Sequence, residues 1–169
     1  MTLEQQSPVC RPTSDGWFDA ADEAHVTQRR TAAARRRAYE DRVQRLWTDV
    51  KVSLAQSVTA YNESRDDVIQ WGETPTGGFA ATRFHRPLAL MDVALDSDNG
   101  LMACVYTFGA DDQAPYQESL RILLVTEHDT VMCLTTQEGR RLGTSDDAAL
   151  DLLTPFVARL TCDETRSVE

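Results

Sequence analysis

The 169-residue sequence predicts an α+β fold: a long N-terminal helix packed on a four- or five-stranded antiparallel meander sheet, followed by a shorter C-terminal helix. Three observations carry this. Apolar residues recur in steps of three and four between Arg29 and Asn62; the period becomes that of strands after the Gly/Pro-rich stretch Trp71 to Gly78; helical spacing returns after Thr144.

In the first helix the apolar stripe is Tyr39, Val43, Leu46, Trp47, Val50, Leu54, Val58 and Tyr61. That spacing lines one helical face, and the Ala- and Arg-rich run Thr31 to Ala38 supplies good helix formers. A helix of some 35 residues would be roughly 50 Å long. This exceeds what a small domain covers, so its Arg-rich part is expected to project or to meet a second subunit. Pro75 and the three glycines of the 71–78 stretch break the helix and turn the chain.

Strands are expected at Phe79 to Arg86, weakly, and at Leu88 to Leu95 and Leu101 to Phe108, joined by Asp96-Ser-Asp-Asn-Gly100 with its Asn-Gly turn signal. A second hairpin pairs Leu120 to Thr126 with Thr130 to Thr136 across a turn at Glu127 to Asp129, and an acidic loop at 109–117 separates the two. Short connections make sequential antiparallel pairing the economical topology. Leu101 to Phe108 and Leu120 to Val125 are apolar at both parities, so at least the centre of the sheet should be covered on both faces. The long helix can take one face; the other needs the C-terminal helix, a ligand or another copy of the chain. That last helix is expected from Ser145 to Leu160, with Thr144 and Asp147 spaced as a capping box and Pro155 kinking or restarting it.

Three segments follow: an acidic, partly mobile tail over 1–27, a single α+β domain over 28–160, and a polar tail over 161–169. The formal net charge of −10 is unevenly distributed. Residues 1–28 carry −4, residues 29–52 carry +5, and the remainder carries −11. Charge complementarity therefore favours self-association, or docking of the basic helix on an acidic surface such as Asp111, Asp112, Asp146 and Asp147. In the tail, Trp17 and Phe18 stand among acids; they read either as a motif that docks in a partner's groove or as aromatics packed on their own chain.

Motifs that carry chemistry are lacking: there is no G-x-S-x-G elbow, P-loop, dinucleotide fingerprint or H-E-x-x-H. No catalytic residue, metal or cofactor is assigned. Asp96 to Gly100 resembles a calcium loop only briefly, since glycine falls one place early and position twelve is Thr107. Cys10, Cys104, Cys133 and Cys162 are scattered without a C-x-x-C pair, which with the lack of a visible signal or a membrane-length apolar run favours a cytoplasmic protein with free thiols. His85 beside Cys104 or Cys133 could form a thiolate pair, but with no orienting motif these cysteines better suit an inert strand core.

Three function classes stand open. The favoured one is a noncatalytic protein-interaction module, a homodimer or an adaptor or chaperone-like partner binder, with Trp17, Phe18, Arg35, Arg36, Arg37 and Trp47 as interaction candidates. The second is a small-ligand-binding or enzymatic domain with a helix–sheet pocket near Trp47, His85, Tyr106 and Cys133. The third is nucleic-acid binding through Arg35, Arg36 and Arg37, which the acidic balance of the chain disfavours.

Overall fold

The computed structural model describes residues 14–65, 68–85, 88–110, 113–127 and 131–166, with side chains over 21–65, 68–85, 88–109, 117–125 and 134–161. The order is helix α1 (Ser14–Ser64), strands β1 (Ile69–Glu73), β2 (Phe79–Arg83), β3 (Ala89–Asp96), β4 (Leu101–Ala110), β5 (Gln113–Glu127), β6 (Val131–Thr136) and β7 (Arg141–Leu142), then helix α2 (Ser145–Arg166). All seven strands form one antiparallel sheet in sequence order, so the α+β class and the meander stand as expected.

The strand count is seven where four or five were anticipated. The stretch read as a helix breaker is a hairpin: β1 pairs Trp71 with Ala81 and Glu73 with Phe79, and Gly77 turns the chain with φ of 80°. The helix has already ended at Ser64, where the Asn62 amide clamps both backbone groups of Ile69, donating to its carbonyl and accepting from its N–H at 2.9 Å each. This covers part of the open edge of β1, a place where unpaired backbone would invite another strand. At the other edge β7 has only two residues, paired as Leu134 with Leu142 and Thr135 with Arg141.

The chain divides into two compact units at Glu40 and Asp41, within α1. In the first unit α1 begins at Ser14, well before Arg29; acidic Asp15, Asp19, Asp22 and Glu23 in its early turns suit the positive end of the helix dipole. Its described side chains are exposed except half-buried Ala21 and Tyr39.

The second unit holds the core. The expected stripe is inside it: Val43, Trp47, Val50, Leu54 and Val58 are buried, and Leu46 and Tyr61 partly so. Opposite them lie Phe79, Ala81, Met91, Val93, Met102, Cys104, Tyr106, Ile122 and Leu134, one parity of the sheet. Helix α2 adds Ala148, Ala149, Leu152, Leu153, Phe156 and Leu160, and runs unbroken through Pro155 to Arg166. Its capping box forms as anticipated: Asp147 N–H donates to Thr144 Oγ1 at 3.2 Å, and the Asp147 carboxylate accepts from the Thr144 and Gly143 N–H groups at 3.0 Å. The two helices meet where Ser53 Oγ donates to Asp146 Oδ1 at 2.5 Å.

Both helices therefore bury the same parity of the sheet. The expectation that both faces are covered is not met by the described residues. On the opposite face Leu90, Val105, Leu123 and Val125 remain 36–40% exposed, with no second layer among the described residues over them.

Candidate functional site

The helix–sheet pocket anticipated around Trp47, His85, Tyr106 and Cys133 is not assembled. Trp47 is buried and donates its Nε1–H to the Gly77 carbonyl at 3.1 Å, pinning the β1–β2 turn to α1. Lys51 adds an ion pair with Glu73 at 2.6 Å and lies over the Trp47 ring, 5.8 Å from its centroid. Tyr106 is buried in β4 and donates its hydroxyl to the Leu152 carbonyl at 2.6 Å. That bond ties the middle of β4 to α2, three residues before Pro155. Burial holds the Tyr106 hydroxyl far above its ordinary pKa. It is a structural donor at every physiological pH. Tyr106→Phe should lower unfolding free energy by about 1 kcal/mol in urea titrations, with little change in the native far-UV spectrum; an unchanged midpoint would remove the bond from the stabilising set.

His85 is exposed beyond the end of β2. Cys133 pairs with Val125 in the β5–β6 ladder, and its side chain lies outside the described residues. Tyr106 pairs with Glu118, seven residues from Val125 along β5, so the backbones of Tyr106 and Cys133 stand on the order of 20 Å apart. Cys104, the other thiol considered, is fully buried between Val93 and Leu120 in the ladder, and burial pushes its pKa up to about 12. A neutral, enclosed thiol is no nucleophile. In a Cys10→Ser/Cys133→Ser/Cys162→Ser background, Cys104 should label with a disulfide reagent only when denaturant is added; fast native labelling would contradict its burial.

The interaction candidates divide between the two units. The side chains of Trp17 and Phe18 lie outside the described residues. Arg35, Arg36 and Arg37 are exposed on the first unit, and Arg36 pairs with Glu40 at 2.8 Å one turn on. Asp111 and Asp112, named as acidic docking surface, also lie outside the described residues, whereas Asp146 and Asp147 serve the α1–α2 contact and the α2 cap. The Asp96 carboxylate accepts from the Asn99 backbone N–H at 3.0 Å and from its side-chain amide at 2.7 Å, which lowers its pKa and closes the β3–β4 turn at Gly100, φ 59°. Among the described residues no group of three or more His, Cys, Asp or Glu side chains is placed to hold a metal ion, and no helix is long and apolar enough to cross a membrane.

What remains as a candidate is the uncovered sheet face. Across β3, β4 and β5 its register positions are Leu90, Asp92 and Ala94; Leu101, Ala103, Val105 and Thr107; and Ser119, Arg121, Leu123 and Val125. Cross-strand pairing places Leu101 beside Leu123 and Ala94 beside Ala103, so a continuous apolar band runs diagonally from Val125 to Leu90. The two-sided apolarity of β4 and β5 is visible in the sequence, but it does not by itself single out these residues. The signal was there: Val105, Leu123 and Val125 share a parity opposite to that of Cys104, Tyr106 and Ile122. Two shallow grooves of about 380 and 370 Å³ border β1, one against α1 beside Trp71 and one on the outer side near Phe84. No protein-family model, curated protein or solved structure matches the chain.

Proposed function

We propose that this protein is a noncatalytic protein-interaction module and that the uncovered face of its sheet is the binding surface. One observation carries the reading. Both helices bury one parity of the sheet, while Leu90, Val105, Leu123 and Val125 on the other stay more than one-third exposed. Apolar surface that is contiguous and lies on a rigid, fully paired sheet is the usual form of a contact site. Trp47 and Tyr106, offered as pocket residues, are engaged in structural hydrogen bonds. The support for chemistry is correspondingly thin.

Leu123→Ser/Val125→Ser tests the reading. Both side chains point away from the core, so the melting temperature should move by only a few degrees. Sedimentation velocity should show the wild-type chain associating and the double variant as a monomer. A wild-type chain that stays monomeric up to about 100 μM would overturn self-association through this face.

A further inference from the structure

We infer that the occupant of the open sheet face is the same face of a second copy, packed about a two-fold axis parallel to β4. The inference rests on the reading of that face as an association surface, and adds its partner and its register.

The argument begins with charge. The chain carries −10 overall, so two copies repel unless the surfaces that meet are locally balanced. Among its described side chains the open face is balanced, and its signs are segregated: Asp92 and Asp96 stand on β3, to one side of β4, while Arg121 and Arg141 stand on β5 and β7, to the other. A two-fold contact brings the same patch of both copies together, so it is favourable only where the patch complements itself. An axis along β4 lays β3 of each copy over β5 of the other, acidic side on basic side. Any axis that lays β3 on β3 sets like charges against each other instead.

Register makes the match specific. Asp92 pairs with Val105, which pairs with Ser119, so Asp92 and Arg121 differ in height by one outward-facing position, about 7 Å along the strand. Sheets packed face to face lie about 10 Å apart. An arginine side chain with a facing aspartate spans that gap, and each two-fold contact contains the pair twice. Asp92 and Arg121 are both exposed, and neither is hydrogen-bonded or ion-paired to another described residue. Between them lie Ala103 and Val105, small enough for the sheets to close, flanked by Leu90 and Leu123.

Size fits as well. Strands β2 to β6 span about 24 Å by 25 Å, roughly 600 Å² in projection before side-chain relief is counted. Stable interfaces bury about 800 Å² on each partner.

The test is a charge exchange followed by sedimentation velocity on the full chain, with thermal melts as the folding control. Asp92→Arg alone places two arginines in each facing pair, and Arg121→Asp alone places two aspartates; each single variant should be at least tenfold weaker in self-association than wild type. An equimolar mixture of the two variants restores both opposite-charge pairs, and should form a heterodimer that neither makes alone. The double variant Asp92→Arg/Arg121→Asp should again form a homodimer. Wild-type chain that stays monomeric up to about 100 μM overturns this inference, and self-association through the face with it. A wild-type dimer indifferent to both single exchanges, or single variants whose mixture does not recover association, overturns the two-fold register and leaves the face as an association surface.

Discussion

Replacing Phe156 by alanine should cost about 3–5 kcal/mol, the largest effect of any single truncation in α2. Phe156 is fully enclosed between Leu152 and Leu160 on the buried stripe of that helix. Removing the ring forfeits its transfer free energy and leaves a cavity that a packed interior closes only partly. Pro155 stiffens the preceding residue, which limits how far the turn can sink into the void. A domain of this size is stable by about 5–15 kcal/mol, so the loss takes a third or more of the total. Urea unfolding measures it, with Leu150→Ala as the control. Leu150 is 64% exposed on the same helix and should change stability by less than about 0.5 kcal/mol. A Phe156→Ala loss below about 1 kcal/mol would mean that α2 is not docked through this residue.

The second large effect is expected at a glycine. A Cβ on Gly78 would stand 2.6 Å from the Val93 carbonyl oxygen and 2.7 Å from Thr74 Oγ1. The first contact is with backbone of the neighbouring strand, which cannot move without disturbing the ladder. The second is the hydroxyl that accepts from Gly78 N–H at 2.8 Å, and the Gly78 carbonyl in turn accepts from Thr74 N–H at 3.1 Å. Gly78→Ala should therefore destabilise by about 1–3 kcal/mol, as overpacking of a closed site does. Gly77→Ala separates space from conformation: nothing lies within 4 Å of its added Cβ, and only its φ of 80° opposes the substitution. Its cost should be about 1 kcal/mol and smaller than that at Gly78. Equal losses at the two positions would show that the turn conformation, and not the approach of Val93, demands glycine here.

The parts of this fold that were legible in sequence are those set by local periodicity and local hydrogen bonds. The stripe from Val43 to Val58 and the Thr144–Asp147 cap needed no tertiary information. The Asn99-Gly100 turn likewise announced the β3–β4 hairpin. Strand β1 was hidden because its five residues include Gly72 and sit beside Pro75, and because Trp47, Lys51 and Asn62 of α1 hold it in place from a distance in sequence. Strand β7, with two residues, has no period to detect. The early turns of α1 lack an apolar stripe, so the sequence pattern starts the helix at Arg29, some 15 residues after its start at Ser14.

The site was less legible for a different reason. Alternation tells which residues share a face and leaves open what lies against that face. β4 is apolar on both parities, yet both helices lie on one side, because Tyr106 and the buried parity of β4 meet α2 at Leu152, 46 residues on. The spread of the pocket candidates over the sheet has the same cause. Their distances depend on strand register, which a list of apolar runs does not specify.

The uninterrupted neighbour-to-neighbour order of the strands carries a consequence for how the chain reaches this state. Every ladder from β1 to β7 joins segments adjacent in sequence, so each hairpin closes only a short loop and the sheet can grow by successive additions at either side. The contact that must wait is between the helices, where Ser53 meets Asp146 across 93 residues of chain. Seating α1 against α2 closes a far longer loop than any of the hairpins, and a sheet formed before either helix has docked has both faces open to another such sheet.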